Sequence, residues 1–350
     1  MCFVCVRCLI LFKPFYLRVR STVVKMPKKQ AERLPVLDVI DAHNWINRAY
    51  YAAPKLTTSS GVPTGAVKAF LNMVNKLIKH RINTRGECNL VVAFDNKTRE
   101  TWRSKLVHDY LTKNIDDLDF LPEKFTKGYK GTRAVDQNKV DELGPQFGLC
   151  RELLEARGIV TYRVKGYEAD DVIGTLAAGA GPKSYNLMIW SRDKDFAQLL
   201  GKHVRITQQA QGNTPELRVT RKNCAEVYGV KPNRITHYLA LTGDGVDNVP
   251  GVPGIGPKTA LTLLNEHGSI NGILKAAKAK QIKGKSISAK LTNPPIIKLL
   301  ALSQILVTIC NDLEKVSLNI EDYRLDDLAK FKKKLNALKQ ELEFSDTFTI

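Results

Sequence analysis

The chain has 350 residues, 43% hydrophobic and 25% charged, so it can bury one large core or two smaller ones. Lysine and arginine exceed aspartate and glutamate by 19, which predicts a polyanionic partner such as nucleic acid. A basic surface without such a partner is the alternative. Seven loosely spaced cysteines argue against a disulfide framework and favour a reducing compartment.

Residues 1–34 form a basic extension that we expect to be disordered or not native. Cys2, Cys5 and Cys8 have metal-ligand spacing, but no fourth ligand lies near them. The segment is an organellar transit peptide, a weak secretory signal, or the result of a true start at Met26, and we favour the last. Its apolar run is too short to cross a bilayer, so no membrane partner is expected.

Apolar runs alternate with amphipathic segments over residues 35–219, which predicts an α/β core with a mostly parallel sheet. Strands are predicted at 36–41, 89–95, 158–164, 186–191 and 203–207. Helices are predicted at 64–80, 99–111, 139–157 and from 169 onward. The polar, basic residues 112–138 between them are expected to form a long mobile loop with a function. Helical patterns then dominate residues 220–310: 220–228, 232–242, 257–267, 269–280 and 295–309. A short helical tail, 311–350, ends the chain.

Three of the predicted strands end in an aspartate: Asp41, Asp95 and Asp193. Because the carboxyl ends of parallel strands lie at one edge of a sheet, we expect these side chains to meet. One such aspartate is usually a helix cap or a turn former. Three in equivalent positions favour a shared site.

Six further acids lie in short clusters: Glu168, Asp170, Asp171, Asp195, Asp244 and Asp247. An ordinary acidic helix N-terminus is the alternative for the first three. Two unit charges 4 Å apart repel by roughly 4 kcal/mol at an effective dielectric of 20, so nine converging carboxylates require cations. Oxygen ligands favour two or more Mg²⁺ ions, with Mn²⁺ as a substitute, and such a pair suits phosphodiester hydrolysis.

A glycine- and proline-rich run precedes the helix predicted at 257–267. It predicts a helix-hairpin-helix at about 249–267 that binds DNA phosphates through its backbone and a helix N-terminus, although a tight turn is the alternative. The expected contacts are Gly251, Gly254, Ile255, Gly256, Lys258 and Thr259. In YKGTR, Tyr129 could stack on a base while Lys130 and Arg133 hold phosphate, or the segment could be a solvated loop.

These segments resemble the 5′-nuclease (flap endonuclease) superfamily, in particular the 5′–3′ exonuclease domain of bacterial DNA polymerase I and its stand-alone phage relatives. The matching motifs occur in family order over roughly residues 35–307: VIDAHNWINRAYYA, GVPTGAVKAFLNMV, VVAFD, YKGTR, GYEADDVIGTLA, SRDKDFAQLL and LALTGDGVDNVPGVPGIGPKTA. The resemblance implies a PIN-like α/β fold with a helical arch, here at about 106–138, that clasps single-stranded DNA.

The resemblance also implies roles for individual residues. A tighter metal group would comprise Asp41, Asp95, Glu168, Asp170 and Asp171. A second group would comprise Asp193, Asp195, Asp244 and Asp247. Lys130 and Arg133 match positions that approach the scissile phosphate, with Tyr129 beside them, and Arg48 matches a basic position near the site. The motifs DAHN and SRDKD and the length of 106–128 depart from the family pattern.

We therefore expect a monomeric, Mg²⁺-dependent 5′–3′ exonuclease and 5′-flap endonuclease that acts on DNA ends, flaps and junctions in replication or repair. Removal of RNA primers from RNA–DNA hybrids is one alternative, and a non-catalytic junction binder is another. The expected location is the cytoplasm of a bacterial or phage-infected cell, or an organelle if residues 1–25 are a transit peptide.

Overall fold

The computed structural model describes residues 33–96, 100–113, 123–133, 136–325 and 332–344. The predicted N-terminal extension lies outside these residues, as does much of the predicted arch. The remainder contains a six-stranded sheet of order β3-β2-β1-β4-β5-β6. The strands are β1 (Val36–Asp41), β2 (Asn89–Ala93), β3 (Val160–Tyr162), β4 (Asn186–Trp190), β5 (Val204–Gln208) and β6 (Leu217–Val219).

The first five strands run parallel and only β6 is antiparallel, which confirms the predicted α/β class. β6 was not predicted because it has three residues, two of them exposed, and so offers no apolar run. β1 lies between β2 and β4, and the chain builds the sheet outward on both sides of it. Ligand sites in open sheets form at such a switch point, beyond the carboxyl ends of the strands.

Helices cover the sheet and form the C-terminal part. Those of the first part are α1 (Ala42–Ala52), α2 (Gly65–Arg85), α3 (Trp102–Lys113), α4 (Gln137–Ala156) and α5 (Ala169–Gly179). Those of the second part are α6 (Cys224–Tyr228), α7 (Ile235–Thr242), α8 (Pro257–His267), α9 (Ile270–Lys278), α10 (Lys285–Thr292), α11 (Pro294–Val307) and α12 (Lys332–Glu341). α1 and α10 were not predicted. No helix among the described residues has the length and apolarity to cross a membrane.

Successive side chains of β1 enter two different apolar cores, as the two-residue period of a strand requires. Val36 and Ile40 pack with α1, α2 and α4, whereas Leu37 and Val39 pack with α5 and the C-terminal helices. Both faces of the sheet are therefore covered by helices, so a ligand site in this domain is expected at the carboxyl ends of the strands.

A buried acid in the middle of β1 has a structural role. Asp38 is fully buried and accepts bonds of 2.5 and 2.6 Å from Arg81 of α2 and 2.7 Å from the indole of Trp190. Its oxygens are therefore occupied by protein donors. Asp38 thereby joins β1 to α2 and β4, whereas Asp41 at the end of the same strand lies at the carboxyl edge of the sheet.

The turn between α7 and α8 is closed by backbone bonds. Asp244 and Val249 exchange N–H···O bonds of 2.9 and 2.8 Å, and the N–H of Val252 donates to Leu241 at 2.9 Å. Gly243 has φ 74° and ψ 171°, a conformation essentially restricted to glycine. The loop that carries two of the predicted metal ligands is thus held in one shape by a glycine.

Gly243→Ala is expected to lower the free energy of unfolding by about 2–4 kcal/mol, through backbone strain and overpacking. A Cβ atom at this position would lie 2.6 Å from the nitrogen of Gly251 and 2.7 Å from the oxygen of Val249. Gly245→Ala in the same loop is the control, because its added Cβ meets no atom within 4 Å. Urea unfolding of both variants tests this, and equal stabilities would contradict it.

Candidate metal centre and nucleic-acid interface

The carboxyl ends of three neighbouring strands bring Asp41, Asp95 and Asp193 to one edge of the sheet. Asp41 ends β1 and caps α1 by accepting from the N–H of Asn44 at 3.2 Å, while the hydroxyl of Ser191 donates to its other oxygen at 2.8 Å. Burial raises the pKa of Asp41 to about 7, and the charges of Asp95 and Asp193 add to the rise. The three carboxylates are thus close enough to affect each other's ionisation.

Asp95 is held from two sides. Its Oδ1 accepts from the N–H of Ala169 at 2.8 Å, and its Oδ2 lies 3.4 Å from the Nδ1 of His43. Burial would raise the pKa of Asp95, but His43 and Lys130 together lower it. This carboxylate, which lies at the N-terminus of α5, is therefore ionised at neutral pH.

The acidic cluster at the start of α5 is divided between different environments. Glu168 is the extended N-cap residue and so precedes the helix, as its participation in a shared site requires. The side chain of Asp170 lines a cavity together with Asp195, Asp244 and Asp247. Burial, and then repulsion from Asp193, raise the pKa of Asp170.

The third acid of this cluster, Asp171, supports the site from behind. Its two oxygens accept five N–H groups, two from Arg103 and one each from Trp102, Glu168 and Cys310, at 2.9–3.1 Å. We predicted Asp171 as a metal ligand, whereas the structure commits both oxygens to protein donors. The contacts of Asp171 differ from those of a metal ligand because the buried Arg103 donates to both of its oxygens.

Arg103 was absent from the predicted site residues. Its guanidinium also donates to Glu168 at 2.7 Å and to the carbonyls of Leu306 and Thr308 at 2.9 Å each. The buried side chain thereby joins α3, α5 and the end of α11. In the sequence, Arg103 is marked only by the neighbouring Trp102, and this pair does not predict which groups the arginine contacts.

Four acids from three chain segments surround a small space. Asp170, Asp195, Asp244 and Asp247 line a cavity of about 10 Å³, close to the volume that one water molecule needs. The buried Oδ1 of Asp195 has no hydrogen-bond partner among the described residues. Burial, with repulsion from Asp193 and Asp244, raises the pKa of Asp195 to about 8. The four carboxylates and the unsatisfied buried oxygen suit a hard divalent cation, and Arg103, Tyr129 and apolar side chains complete the lining of the cavity.

Basic side chains neutralise several of these acids in the structure. Lys130 pairs with Glu168 and lies 3.6 Å from Asp247, while Lys194 pairs with Asp244 at 2.9 Å. Within the described ranges, no three acidic, histidine or cysteine side chains stand close enough to enclose one ion. A bound cation therefore requires these lysines to move away from the carboxylates.

The YKGTR segment lies directly against the acids. The hydroxyl of Tyr129 lies 3.2 Å from Glu168 and 3.0 Å from Asp247, and its ring is 5.1 Å from the Nζ of Lys130. Arg133 donates to Asp247 at 2.5 Å. Tyr129, predicted as a base-stacking residue, therefore bridges two carboxylates. Asn248 holds this segment by donating to the carbonyls of Lys124 and Gly128 at 2.8 and 2.7 Å.

Arg48 lies farther along the same edge, at the turn after β5. Its guanidinium donates to Gln209 and Ala210, and Arg192 donates to the carbonyl of Gln209 at 2.7 Å. Burial and the charge of Arg192 lower the pKa of Arg48. Two guanidinium groups thus gather beside the strand that carries Asp193.

The predicted hairpin exposes some of its residues and buries others. α8 begins at Pro257, and its Gly256 N-cap makes no side-chain bond, so the first N–H groups of the helix face outward. Gly254 and Lys258 are also exposed, and Thr259 is half-buried. These features match the predicted phosphate site, which stays a prediction.

Two residues predicted to contact DNA serve the hairpin itself. Ile255 is 3% exposed and its N–H donates to Val252, because an apolar side chain in a short turn packs into the core. Gly251 abuts the backbone of Thr242, which would lie 2.4 Å from an added Cβ. The N–H of Ile255 is therefore occupied, and the predicted phosphate contact of Gly251 stays a prediction.

Acids at the carboxyl edge of a mostly parallel α/β sheet supply the oxygen ligands that a hard divalent cation takes. Two family profiles match the chain: "5'-3' exonuclease, N-terminal resolvase-like domain" over residues 36–229 and "5'-3' exonuclease, C-terminal SAM fold" over residues 230–331. The chain belongs to the 5′-3′ exonuclease family, which confirms the resemblance and the enzyme class.

A 5′-3′ exonuclease of Aquifex aeolicus is 34% identical over 307 residues, which cover 87% of this chain and 92% of that protein. DNA polymerase I of Bacillus caldotenax is 35% identical over 310 residues. The alignment covers 88% of this chain and 31% of that polymerase. The flap endonuclease of bacteriophage T5, in a pseudo-enzyme-product complex with DNA and metal ions, has a TM-score of 0.56 at 20% identity. That alignment covers 87% of this chain and 99% of the phage chain, and it shows a shared fold.

Divalent cations are expected to stabilise the protein more at about pH 8 than at about pH 6. Asp41 and Asp195 keep protons in the folded chain that they release on unfolding, because their pKa values rise from 3.8 to about 7 and about 8. Their contribution to stability is present below about pH 4 and lost as pH rises through these values. A bound cation replaces those protons.

Thermal unfolding with and without Mn²⁺ at both pH values tests this dependence. With Mn²⁺ at one fixed concentration, 100 times its dissociation constant at the higher pH, we expect a rise in Tm of about 5 °C at the higher pH and a smaller rise at the lower pH. Equal shifts at both pH values would contradict carboxylate binding.

Proposed function

We propose that the chain is a metal-dependent 5′–3′ exonuclease and 5′-flap endonuclease that hydrolyses DNA in replication or repair. The observation that carries the proposal is the convergence of carboxylates from five separate segments near the carboxyl edge of the sheet. The DNA complex of the phage flap endonuclease and the exonuclease and polymerase names of the bacterial relatives support it.

Mg²⁺ is the cation that we propose, with Mn²⁺ as a substitute. The first group of ligands would be Asp41, Asp95, Glu168 and Asp170, and the second would be Asp193, Asp195, Asp244 and Asp247. When bound, such ions activate water and stabilise the leaving oxygen of a phosphodiester. The small acid-lined cavity and the unpartnered oxygen of Asp195 support this assignment.

The basic side chains then position the substrate. Lys130 and Arg133 pair with Glu168 and Asp247 in the structure. With substrate bound, their N–H groups would instead donate hydrogen bonds to the oxygens of the scissile phosphate. The exposed start of α8 would bind a backbone phosphate of the adjoining duplex, with Lys258 adding a charge. The short connection from Asp247 to Lys258 would fix the distance between the duplex and the cut.

The finer features of the protein follow from this function. DNA with 5′ ends, flaps or junctions is the proposed substrate, and RNA–DNA hybrid is the second candidate. We propose that the chain acts as a monomer. Bacterial relatives support a cytoplasmic location in a bacterial or phage-infected cell, with an organelle as the alternative.

Cleavage of matched 5′-flap substrates tests the proposal. A DNA flap should be cut near its base with Mg²⁺ or Mn²⁺ and remain intact in EDTA, leaving a 5′-phosphate and a 3′-hydroxyl. The same flap made of RNA should be cut more slowly. Faster cleavage of the RNA flap would favour primer removal, and binding of the junction without cleavage would identify a non-catalytic binder.

A further inference from the structure

A second, larger cavity opens beside the acids, and the proposed mechanism uses only some of the residues that line it. Its volume of about 710 Å³ lies within the range of about 300–1,000 Å³ that small-ligand sites occupy. Asp95, Glu168, Lys130 and Arg133 of the proposed reaction site line it, together with His43, Phe147 and Arg163, which the proposed mechanism does not use. A ligand could therefore touch the reaction site and extend into this space.

Arg163 reaches the cavity through the topology of the sheet. It directly follows β3, which pairs with β2, so it stands at the same edge as Asp95. Its Nε donates to the carbonyl of Asp95 at 3.0 Å, and its guanidinium carbon lies 5.6 Å from the ring centroid of Phe94. These contacts fix the orientation of the guanidinium.

The two terminal nitrogens of this guanidinium have no partner among the residues that the structure describes. In the described ranges, no carboxylate lies within 4.0 Å of Arg163, and its two terminal nitrogens make no hydrogen bond. The planar fork of an arginine matches the oxygens of a phosphate. An oriented arginine with free N–H groups on a cavity wall is therefore suited to an anionic ligand group.

The walls of the cavity suit the rest of a nucleotide. The rings of His43 and Phe147 stack with centroids 4.4 Å apart and an interplanar angle of 25°, which provides a flat aromatic surface. Gly144 and Gly148 of α4 also line the space, and an added Cβ on either would meet no atom within 4 Å. Aromatic surfaces bind bases of any sequence by stacking.

We propose that this cavity binds the 5′-terminal nucleotide of the cleaved strand, with its terminal phosphate on Arg163. The inference rests on the proposed function and adds a preference among 5′ ends. A terminal phosphomonoester carries about −1.5 to −2 charges near pH 7, more than an internal phosphodiester. The enzyme should therefore distinguish a 5′-phosphate from a 5′-hydroxyl when the end lies next to the cut.

The test uses three kinds of DNA substrate of one sequence: a recessed 5′-phosphate end, the same end with a 5′-hydroxyl, and a long flap, which is prepared in both 5′-phosphate and 5′-hydroxyl forms. One charge-assisted contact is worth about 1.5–3 kcal/mol, so wild-type kcat/KM should be at least about 10-fold higher for the 5′-phosphate end. The ratio should fall to about 1 in Arg163→Gln. Cleavage of the long flap by the wild-type chain should not depend on its distant end.

Arg205→Gln is the matched control, because this exposed arginine of β5 does not line the cavity. It should keep the wild-type ratio. Equal wild-type cleavage of both recessed ends would overturn the inference and leave the proposed function standing. Failure of the wild-type chain to cut any substrate would overturn the proposed function instead. An equal loss on all three substrates in Arg163→Gln would assign Arg163 to an internal phosphate and overturn the terminal site.

Discussion

Replacing Asp41 with asparagine is expected to slow 5′-flap cleavage roughly 1,000-fold while the chain stays folded, because charge that acts on the transition state is lost. Asparagine keeps one side-chain oxygen, which can still cap α1, and it is itself a good N-cap residue. Its amide NH2 replaces the oxygen that accepts from Ser191, and the hydroxyl of Ser191 can accept from that NH2 instead. Single-turnover cleavage with saturating enzyme and Mg²⁺ measures the effect on the chemical step.

Asp312→Asn is the control for this substitution. Asp312 is an exposed acid that accepts from the thiol of Cys310, outside the proposed ligand groups. Its replacement should leave cleavage within about 2-fold of wild type, as for most surface changes. Wild-type rates in a folded Asp41→Asn variant would remove this carboxylate from the mechanism.

Arg103→Met is expected to lower the free energy of unfolding by about 3–5 kcal/mol, since it strands two buried carboxylates. The side chains of Arg103, Asp171 and Glu168 are 3%, 0% and 6% exposed, so water cannot replace the lost donors. The carbonyls of Leu306 and Thr308 also lose a partner. Urea unfolding followed by circular dichroism measures the change.

The matched control is Arg151→Met, which breaks an exposed pair with Glu155. Exposed pairs contribute about 0–1 kcal/mol, so this variant should unfold close to wild type. If Arg103→Met is as stable as Arg151→Met, the buried arginine does not hold α3, α5 and α11 together.

The sequence was sufficient to predict the sheet edge where the acids meet. Apolar runs locate the strands, and parallel strands necessarily bring their carboxyl ends to one side. Asp41, Asp95 and Asp193 follow from that rule alone. Applied to basic residues, the rule would also have indicated Arg163, which directly follows the third strand in the chain.

The partners of the helix residues were beyond sequence reasoning. Whether Asp171 faces the ligand or the protein depends on Arg103, 68 positions away, and on the backbone of Cys310, 139 positions away. Local pattern carries no information about such pairings. Within the hairpin, the turn lacks the regular spacing of buried residues that helices and strands have, so the sequence does not show that Ile255 is buried and Gly256 exposed. The predicted boundary near residue 220 also stays a prediction.

A crystal structure with Mn²⁺ and a nicked or flapped DNA tests the metal centre most directly, because anomalous scattering locates each ion. We expect Mn²⁺ beside Asp41, Asp95 and Asp170, with Lys130 moved off Glu168 and onto the scissile phosphate. Ions absent from this edge of the sheet, in crystals that contain bound DNA and Mn²⁺, would contradict the assignment of these carboxylates as the catalytic metal site.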